Sequence, residues 1–251
     1  MSFRRTAGII IRVTDYGESD KIVTLYCPTE GKLTLLAKGA KRSTKRFVNK
    51  LELFSHLDIQ YNSRYALALL DQADLVNGFP RLRQNFKRYA ACQLLCELML
   101  HWTSENDGDP NLFAAFLASL ATLHNGGPMR KTLVLFLIHL YSQLGYQPNL
   151  SACAQCGKLD ADSGPFHFRR SLGTIICQRC SPSPSTAQGC RLSINTIKLI
   201  AQAQRMPFAK TGRLQFPSLA MTQILQLFQA YGSYLLDRKI NAWEFIDCHE
   251  D

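Results

Sequence analysis

Lys21-Ile22-Val23-Thr24-Leu25-Tyr26, then Pro28-Thr29-Glu30-Gly31, then Lys32-Leu33-Thr34-Leu35-Leu36-Ala37, then Gly39-Ala40-Lys41-Arg42-Ser43-Thr44-Lys45-Arg46-Phe47 set the reading of the first third of this chain. The first and third segments are short and rich in β-branched or apolar residues, and turn chemistry separates them, so they predict two strands joined by a tight turn. The last segment follows the second of these strands directly and predicts an exposed basic loop. On either side, Ala7–Val13, Leu53–Tyr61 and Tyr65–Leu70 carry the same strand signature, with turns at Asp15-Tyr16-Gly17 and Asn62-Ser63. Five short strands within the first eighty residues fit a small closed barrel, an architecture that leaves no exposed sheet edge.

Beyond Gly78-Phe79-Pro80 the period changes. From Arg83 onward Phe86, Ala90, Leu94, Leu98 and Trp102 recur at helical spacing, and Asp109-Pro110 reads as an N-cap followed by proline at the first position of a second helix. Met129 to Leu144 predicts a third, largely apolar helix stopped by Gly145. Ser193 to Arg205 and Ser218 to Leu236 predict two more, after a linker at Ser181-Pro182-Ser183-Pro184-Ser185. The expected class is α+β and multidomain: a barrel over 1–80, a helical domain over 81–147 that resumes over 186–251, and a cysteine-bearing insertion over 148–185.

That insertion holds Cys153, Cys156, Cys177 and Cys180, spaced C-x2-C-x20-C-x2-C. Each C-x2-C forms a knuckle that aims two thiolates at one point, and two knuckles complete the tetrahedron that zinc prefers. Gly157 supplies the backbone freedom the first knuckle needs. Phe166-His167-Phe168 and Thr174-Ile175-Ile176 alternate enough to be the strands of a zinc ribbon. An all-sulfur set leaves no position for water, so the expected ion is one structural Zn2+ rather than a catalytic one. His167 and Cys190 are the competing ligands. Cys92 and Cys96, four apart on the first helix, and Cys27 read as core packing, and Cys248 and His249 as uninvolved.

The chain has 29 basic and 19 acidic residues, a net +10. From Gly31 to Leu51 stand Lys32, Lys38, Lys41, Arg42, Lys45, Arg46 and Lys50 without one acid. Such a run is either a solvated loop or a polyanion contact, because Lys and Arg displace the counterions condensed on phosphates. A second basic cluster, Arg81, Arg83, Lys87 and Arg88, opens the first helix, with Arg83 and Lys87 expected on one helix face. Tyr26, Phe47 and Tyr65 are candidate stacking residues, and each reads more readily as core than as a platform. Leu133–Leu140 is too short to cross a bilayer, and Arg12 and Asp15 interrupt any N-terminal secretory pattern, so no membrane association and a cytoplasmic location are expected.

Glu18-Ser19-Asp20-Lys21-Ile22-Val23-Thr24-Leu25-Tyr26, Glu30-Gly31-Lys32-Leu33, Ala37-Lys38-Gly39-Ala40-Lys41-Arg42-Ser43 and Arg46-Phe47 resemble the RecO family of bacterial recombination mediators. The order of modules and the closing Tyr234–Ile240 and Trp243-Glu244-Phe245 do so too, although Ile240-Asn241-Ala242 replaces a more basic family stretch. The resemblance implies an OB-fold joined to a helical domain, binding of ssDNA and dsDNA, and annealing of complementary strands. It also implies partnership with RecR and with the acidic C-terminal tail of single-strand binding protein, loading of RecA, and a nucleoid-associated place in the cytoplasm. DNA contacts are expected at Lys32, Lys38, Lys41, Arg42, Lys45, Arg46, Arg81, Arg83, Lys87 and Arg88. Two other readings stand beside it: a zinc-ribbon adaptor without annealing activity, and a metal-dependent nuclease. No phosphate loop, HExxH helix or GxSxG elbow is present to support an enzyme.

Overall fold

The computed structural model describes residues 3–64, 67–160, 163–181 and 190–246. Tyr65, Pro182–Ser185 of the expected linker, Cys248 and His249 lie outside the described residues. Two compact units form, Met1–Gly127 and Pro128–Asp251.

In the first unit β1 (Phe3–Tyr16), β2 (Asp20–Cys27), β3 (Gly31–Ala37), β4 (His56–Asn62) and β5 (Ala68–Asn77) close a barrel in the order β1-β2-β3-β5-β4. All pairs are antiparallel except β3 with β5, which is the connectivity of an OB-fold. The long β1 makes closure possible: Phe3–Ile9 pairs with β4 and Ile9–Tyr16 with β2, with a bulge between Ile10 and Arg12 that turns the corner. Inward-facing Ile10, Val23, Leu25, Leu35, Leu57, Ile59 and Leu70 fill the barrel. Two strand bounds differ from expectation. β4 begins at His56, not Leu53, because Phe54 takes a left-handed conformation (φ 72°) while its neighbour's carbonyl, on Ser55, accepts from the Ile10 amide at 3.0 Å. β5 runs on to Asn77, since a bulge at Asp71 lets both Leu70 and Ala73 face the barrel core while pairing with β4 continues.

α1 (Phe86–Trp102) and α2 (Pro110–His124) complete this unit. Asp109 caps α2 as expected, accepting from Asn111 and Leu112 amides at 2.7 and 3.3 Å. The start of α1 corrects the sequence reading. Asn85 is its N-cap, accepting from the Arg88 amide at 3.0 Å, and Arg83 lies before it in a 3-10 turn, Pro80–Gln84. Arg83 and Lys87 therefore do not share a helix face.

The β2–β3 turn is stapled to the connection between the two helices: Lys32 donates its amide to Ser104 at 2.9 Å, and Glu30 accepts from the Asn106 amide at 2.8 Å. Gly31 sits at φ 66°, and a Cβ there would lie 2.6 Å from the Ser104 carbonyl. Gly31→Ala adds a left-handed penalty to a backbone clash, so it is expected to destabilise this unit by about 2–4 kcal/mol in denaturant unfolding.

The second unit contains α3 (Met129–Gln143), β6 (Asn149–Cys153), β7 (Phe166–Arg169), β8 (Thr174–Cys177), β9 (Arg191–Leu192), α4 (Ile194–Gln204), α5 (Phe208–Thr211) and α6 (Ser218–Leu236). The four strands form one sheet, β6-β8-β7-β9, with β6 parallel to β8. The sheet thus reaches Leu192, past the expected end of the insertion. α3, before the insertion, packs with α4 and α6, after it. Tyr141 and Phe228 meet there at 4.6 Å between ring centroids, and the Tyr141 hydroxyl donates to the Phe228 carbonyl at 3.2 Å. Among the described residues no helix is long and apolar enough to cross a membrane.

Candidate nucleic-acid interface and metal centre

Two places in the fold gather chemistry. The first is the loop after β3. Gly39, at φ 67°, turns the chain into a single 3-10 turn, Ala40–Arg42, and the tip of the β1–β2 hairpin holds that turn in place. Asp20 accepts from the Gly39 amide at 2.8 Å and from the Ser19 hydroxyl at 3.0 Å, and the Ser19 carbonyl accepts from the Lys41 amide at 2.9 Å. The Gly39 amide first, then the Ser19 hydroxyl, hold the Asp20 carboxyl below its ordinary value, so this anchor is in full force at neutral pH and is lost only as pH falls through that lowered value.

The hairpin tip also supplies counter-charge. Lys41 pairs with Asp15 at 3.1 Å and donates to the Gly17 carbonyl at 3.0 Å; Arg42 stands 3.8 Å from Glu18. Arg46 donates to the Lys38 carbonyl at 2.7 Å and lies 4.3 Å over the Phe47 ring, while Lys38 and Lys45 are exposed. Lys38, Lys41, Arg42, Lys45 and Arg46 are thus brought onto one exposed loop. Asp20 is the loop's anchor, and Asp15 and Glu18 are its counter-charges.

The remaining sequence candidates are placed differently. The Lys32 ammonium donates to the Leu100 and Thr103 carbonyls at 3.0 and 2.9 Å, satisfying the C-terminus of α1. Arg88 donates to the Leu123 carbonyl at the end of α2, and Arg83 donates to the Gly78 carbonyl at 2.6 Å and to the Leu53 carbonyl. Arg81 and Lys87 are exposed. Tyr26 and Phe47 are buried, and both sit in the interior, so neither ring is open to a base. The aromatic that sequence reading missed is Tyr16: it is 54% exposed at the hairpin tip, one residue from the carbonyl that holds Lys41. Its turn-like neighbourhood hid it.

The second place is the sulfur cluster. Cys153 ends β6 and Cys177 ends β8, so adjacent parallel strands deliver one cysteine of each pair to the same edge of the sheet. Gly157, at φ 70°, closes the first knuckle by donating to the Cys153 carbonyl at 2.9 Å, and Cys180 closes the second on the Cys177 carbonyl at 3.1 Å. The four sulfurs lie within 4.8 Å of one another and could hold a metal ion. Burial alone would raise the Cys153 thiol, but amides of Cys177, Cys156 and Gln155 outweigh it and bring the thiol down to about 6. Hydrogen bonds with Cys177 and Cys156 push Cys180 the other way, to about 12. Four thiolates in this space repel one another, and a cation is what lets all four ionise. His167 and Cys190 are not in the cluster. Cys27, Cys92 and Cys96 are fully buried, as expected of packing thiols.

A sequence profile described as Recombination protein O N terminal matches residues 1–79, and one described as Recombination protein O C terminal matches residues 83–244. The chain belongs to the RecO family. A DNA repair protein RecO of Desulfatibacillum aliphaticivorans is 30% identical over 96% of this chain and 95% of its own length. That of Symbiobacterium thermophilum is 31% identical over 98% of both, and that of Syntrophus aciditrophicus 28% identical over 97% and 95%. Membership places the chain in a family of DNA repair and recombination proteins. The two RecO profiles meet near residue 80, whereas the compact units part at Gly127, so α1 and α2 go with the C-terminal profile by sequence and with the barrel by packing. A cleft of about 920 Å³ between β6 and α4, lined by Asn149, Leu150, Ile197, Lys198 and Arg205 among others, offers this RecO-family chain no carboxylate, histidine or thiol.

Proposed function

We propose that this chain is a non-enzymatic DNA-binding mediator of recombinational repair, whose principal contact is the basic loop from Lys38 to Arg46. In this reading the barrel, residues 1–80, binds ssDNA and dsDNA, the chain anneals complementary strands, and it helps to load a RecA recombinase onto DNA coated with single-strand binding protein. RecR and the acidic tail of single-strand binding protein are its partners, and the cytoplasm is its place.

The observation that carries the proposal is five cationic side chains on one exposed, anchored loop of an OB-type barrel in a family of DNA repair proteins. Annealing needs no bond chemistry: neutralising phosphates on two strands lowers their repulsion, and base pairing follows. The counter-charges of the hairpin tip are weak competitors. Arg42 and Glu18 are 73% and 93% exposed, and exposed pairs are worth about 0–1 kcal/mol, so phosphates displace the carboxylates readily. Arg81 and Lys87, both exposed, are proposed to extend the path, with Tyr16 as a stacking face for a base.

Cys153, Cys156, Cys177 and Cys180 are proposed to hold one Zn2+. The Cys156–Cys177 sulfur separation of 3.8 Å is what tetrahedral coordination with bonds of about 2.3 Å requires. With four sulfurs and no open position the ion would supply folding energy and not catalysis. Titrating the full chain onto labelled oligonucleotides across a salt series, with magnesium present, tests the function: binding that weakens steeply with salt and leaves the DNA intact supports it, and magnesium-dependent cleavage products contradict it.

A further inference from the structure

Residues 163–236 contain eight Lys and Arg and not a single Asp or Glu, so this stretch carries most of the net charge of the chain. Three of the arginines gather on the sheet of the second unit. Arg169 is two residues from His167 on β7, and Arg191 on β9 pairs with His167 across the strands, so by strand alternation all three lie on one face, opposite to the face on which Phe168 meets α6. Burial and then the charges of Arg191 and Arg169 hold the His167 imidazole below its ordinary value, which fits their closeness. Arg170 begins the β7–β8 turn. Among the described residues no carboxylate pairs with Arg169, Arg170 or Arg191, in contrast to Lys41, Arg42 and Lys50 in the first unit.

The same turn presents an aromatic. The Arg170 guanidinium lies 5.8 Å from the centroid of the Tyr234 ring on α6, and that ring is 46% exposed, with Leu172, two residues after Arg170, at 65%. The arrangement is rigid. A Cβ on Gly173 would lie 2.8 Å from the Tyr231 hydroxyl, and Phe168 meets Tyr231 edge-on at 5.2 Å, so the turn is seated on α6 one helical step from Tyr234.

We infer that the β7–β8 turn carries a second contact for single-stranded nucleic acid, with Arg169 and Arg191 on the outer face of the sheet and Arg170 and Tyr234 where the turn meets α6. Unpaired guanidiniums track a phosphate backbone, and an exposed ring flanked by arginine gives a base a flat surface on which to stack. An acidic peptide would match the charge but would make no use of the ring. The inference rests on the reading of the chain as a DNA binder.

The test is anisotropy of the full chain with oligo-dT over a salt series. Arg169→Ala with Arg170→Ala is expected to lower the log–log salt slope by about 1.4, two phosphates for a single strand. Tyr234→Ala is expected to weaken binding about tenfold with the slope unchanged, and Arg170→Lys to keep the slope. Metal content and melting temperature check the fold, and Arg169→Gln with Arg170→Gln replaces the alanine pair if that pair misfolds. Unchanged slope and affinity in these variants overturn the inference, as does intact DNA binding with lost capture of a poly-glutamate peptide. If the slope falls here but not on alanine substitution of the barrel loop, the barrel reading fails and this inference stands.

Discussion

Cys177→Ser is expected to strip the metal from the chain and unfold the sheet around residues 149–192 while the first unit keeps its own melting transition. Cys177 is fully buried at the end of β8, and its amide donates to the Cys153 sulfur at 3.3 Å, so it joins both knuckles. A structural zinc contributes on the order of 10 kcal/mol to the folding of its module. That is comparable with the whole stability of a typical domain, about 5–15 kcal/mol, so no repacking of so small a sheet replaces it. The first unit has its own core and shares no ligand with the cluster. Elemental analysis should read one ion per wild-type chain and none for the variant, with proteolysis confined to the second unit. Full metal content in Cys177→Ser would contradict the site. Its DNA binding should fall only by the share that Arg169, Arg170, Arg191 and Tyr234 supply.

Substituting Lys41, Arg42, Lys45 and Arg46 together by alanine is expected to lower the salt slope of single-strand binding by about 2.8, at about 0.7 for each phosphate contact. The fold should survive, because these side chains are on the surface and the loop is anchored through Asp20, Gly39 and the Ser19 carbonyl. Lys32→Ala is the control. Its ammonium serves the end of α1, so the substitution should cost stability, by about 1–3 kcal/mol for two orphaned carbonyls, and leave the slope unchanged. An unchanged slope in the fourfold variant would remove the loop from the interface.

The contrast between Lys32 and Lys41 marks how far the sequence could be read. The short β-branched and apolar runs of β2 and β3, the Asp109-Pro110 cap and the cysteine spacing are local signals, and each produced the element it predicted. Charge in a run is local too, but what a charge touches is not. Lys32 and Arg88 end on helix carbonyls 68 and 35 residues away in sequence. Phe47, a stacking candidate that read more readily as core, turned inward with Leu51 to join the barrel core. Arg83 was assigned to α1 because apolar periodicity gives no sign of a 3-10 turn ahead of an asparagine cap. The acid-free stretch from 163 to 236 went unread, because its charges are spread along the chain and only the sheet register places Arg169 and Arg191 together.

The most direct measurement of the central claim is annealing of complementary DNA strands coated with single-strand binding protein, followed with the intact coat protein and with one lacking its acidic tail. The proposed function predicts that the wild-type chain accelerates annealing, that the variant lacking Lys41, Arg42, Lys45 and Arg46 does so far less, and that removing the tail weakens the effect. A folded, metal-loaded chain that leaves the annealing rate unchanged, or a loop variant that anneals as well as wild type, would contradict it.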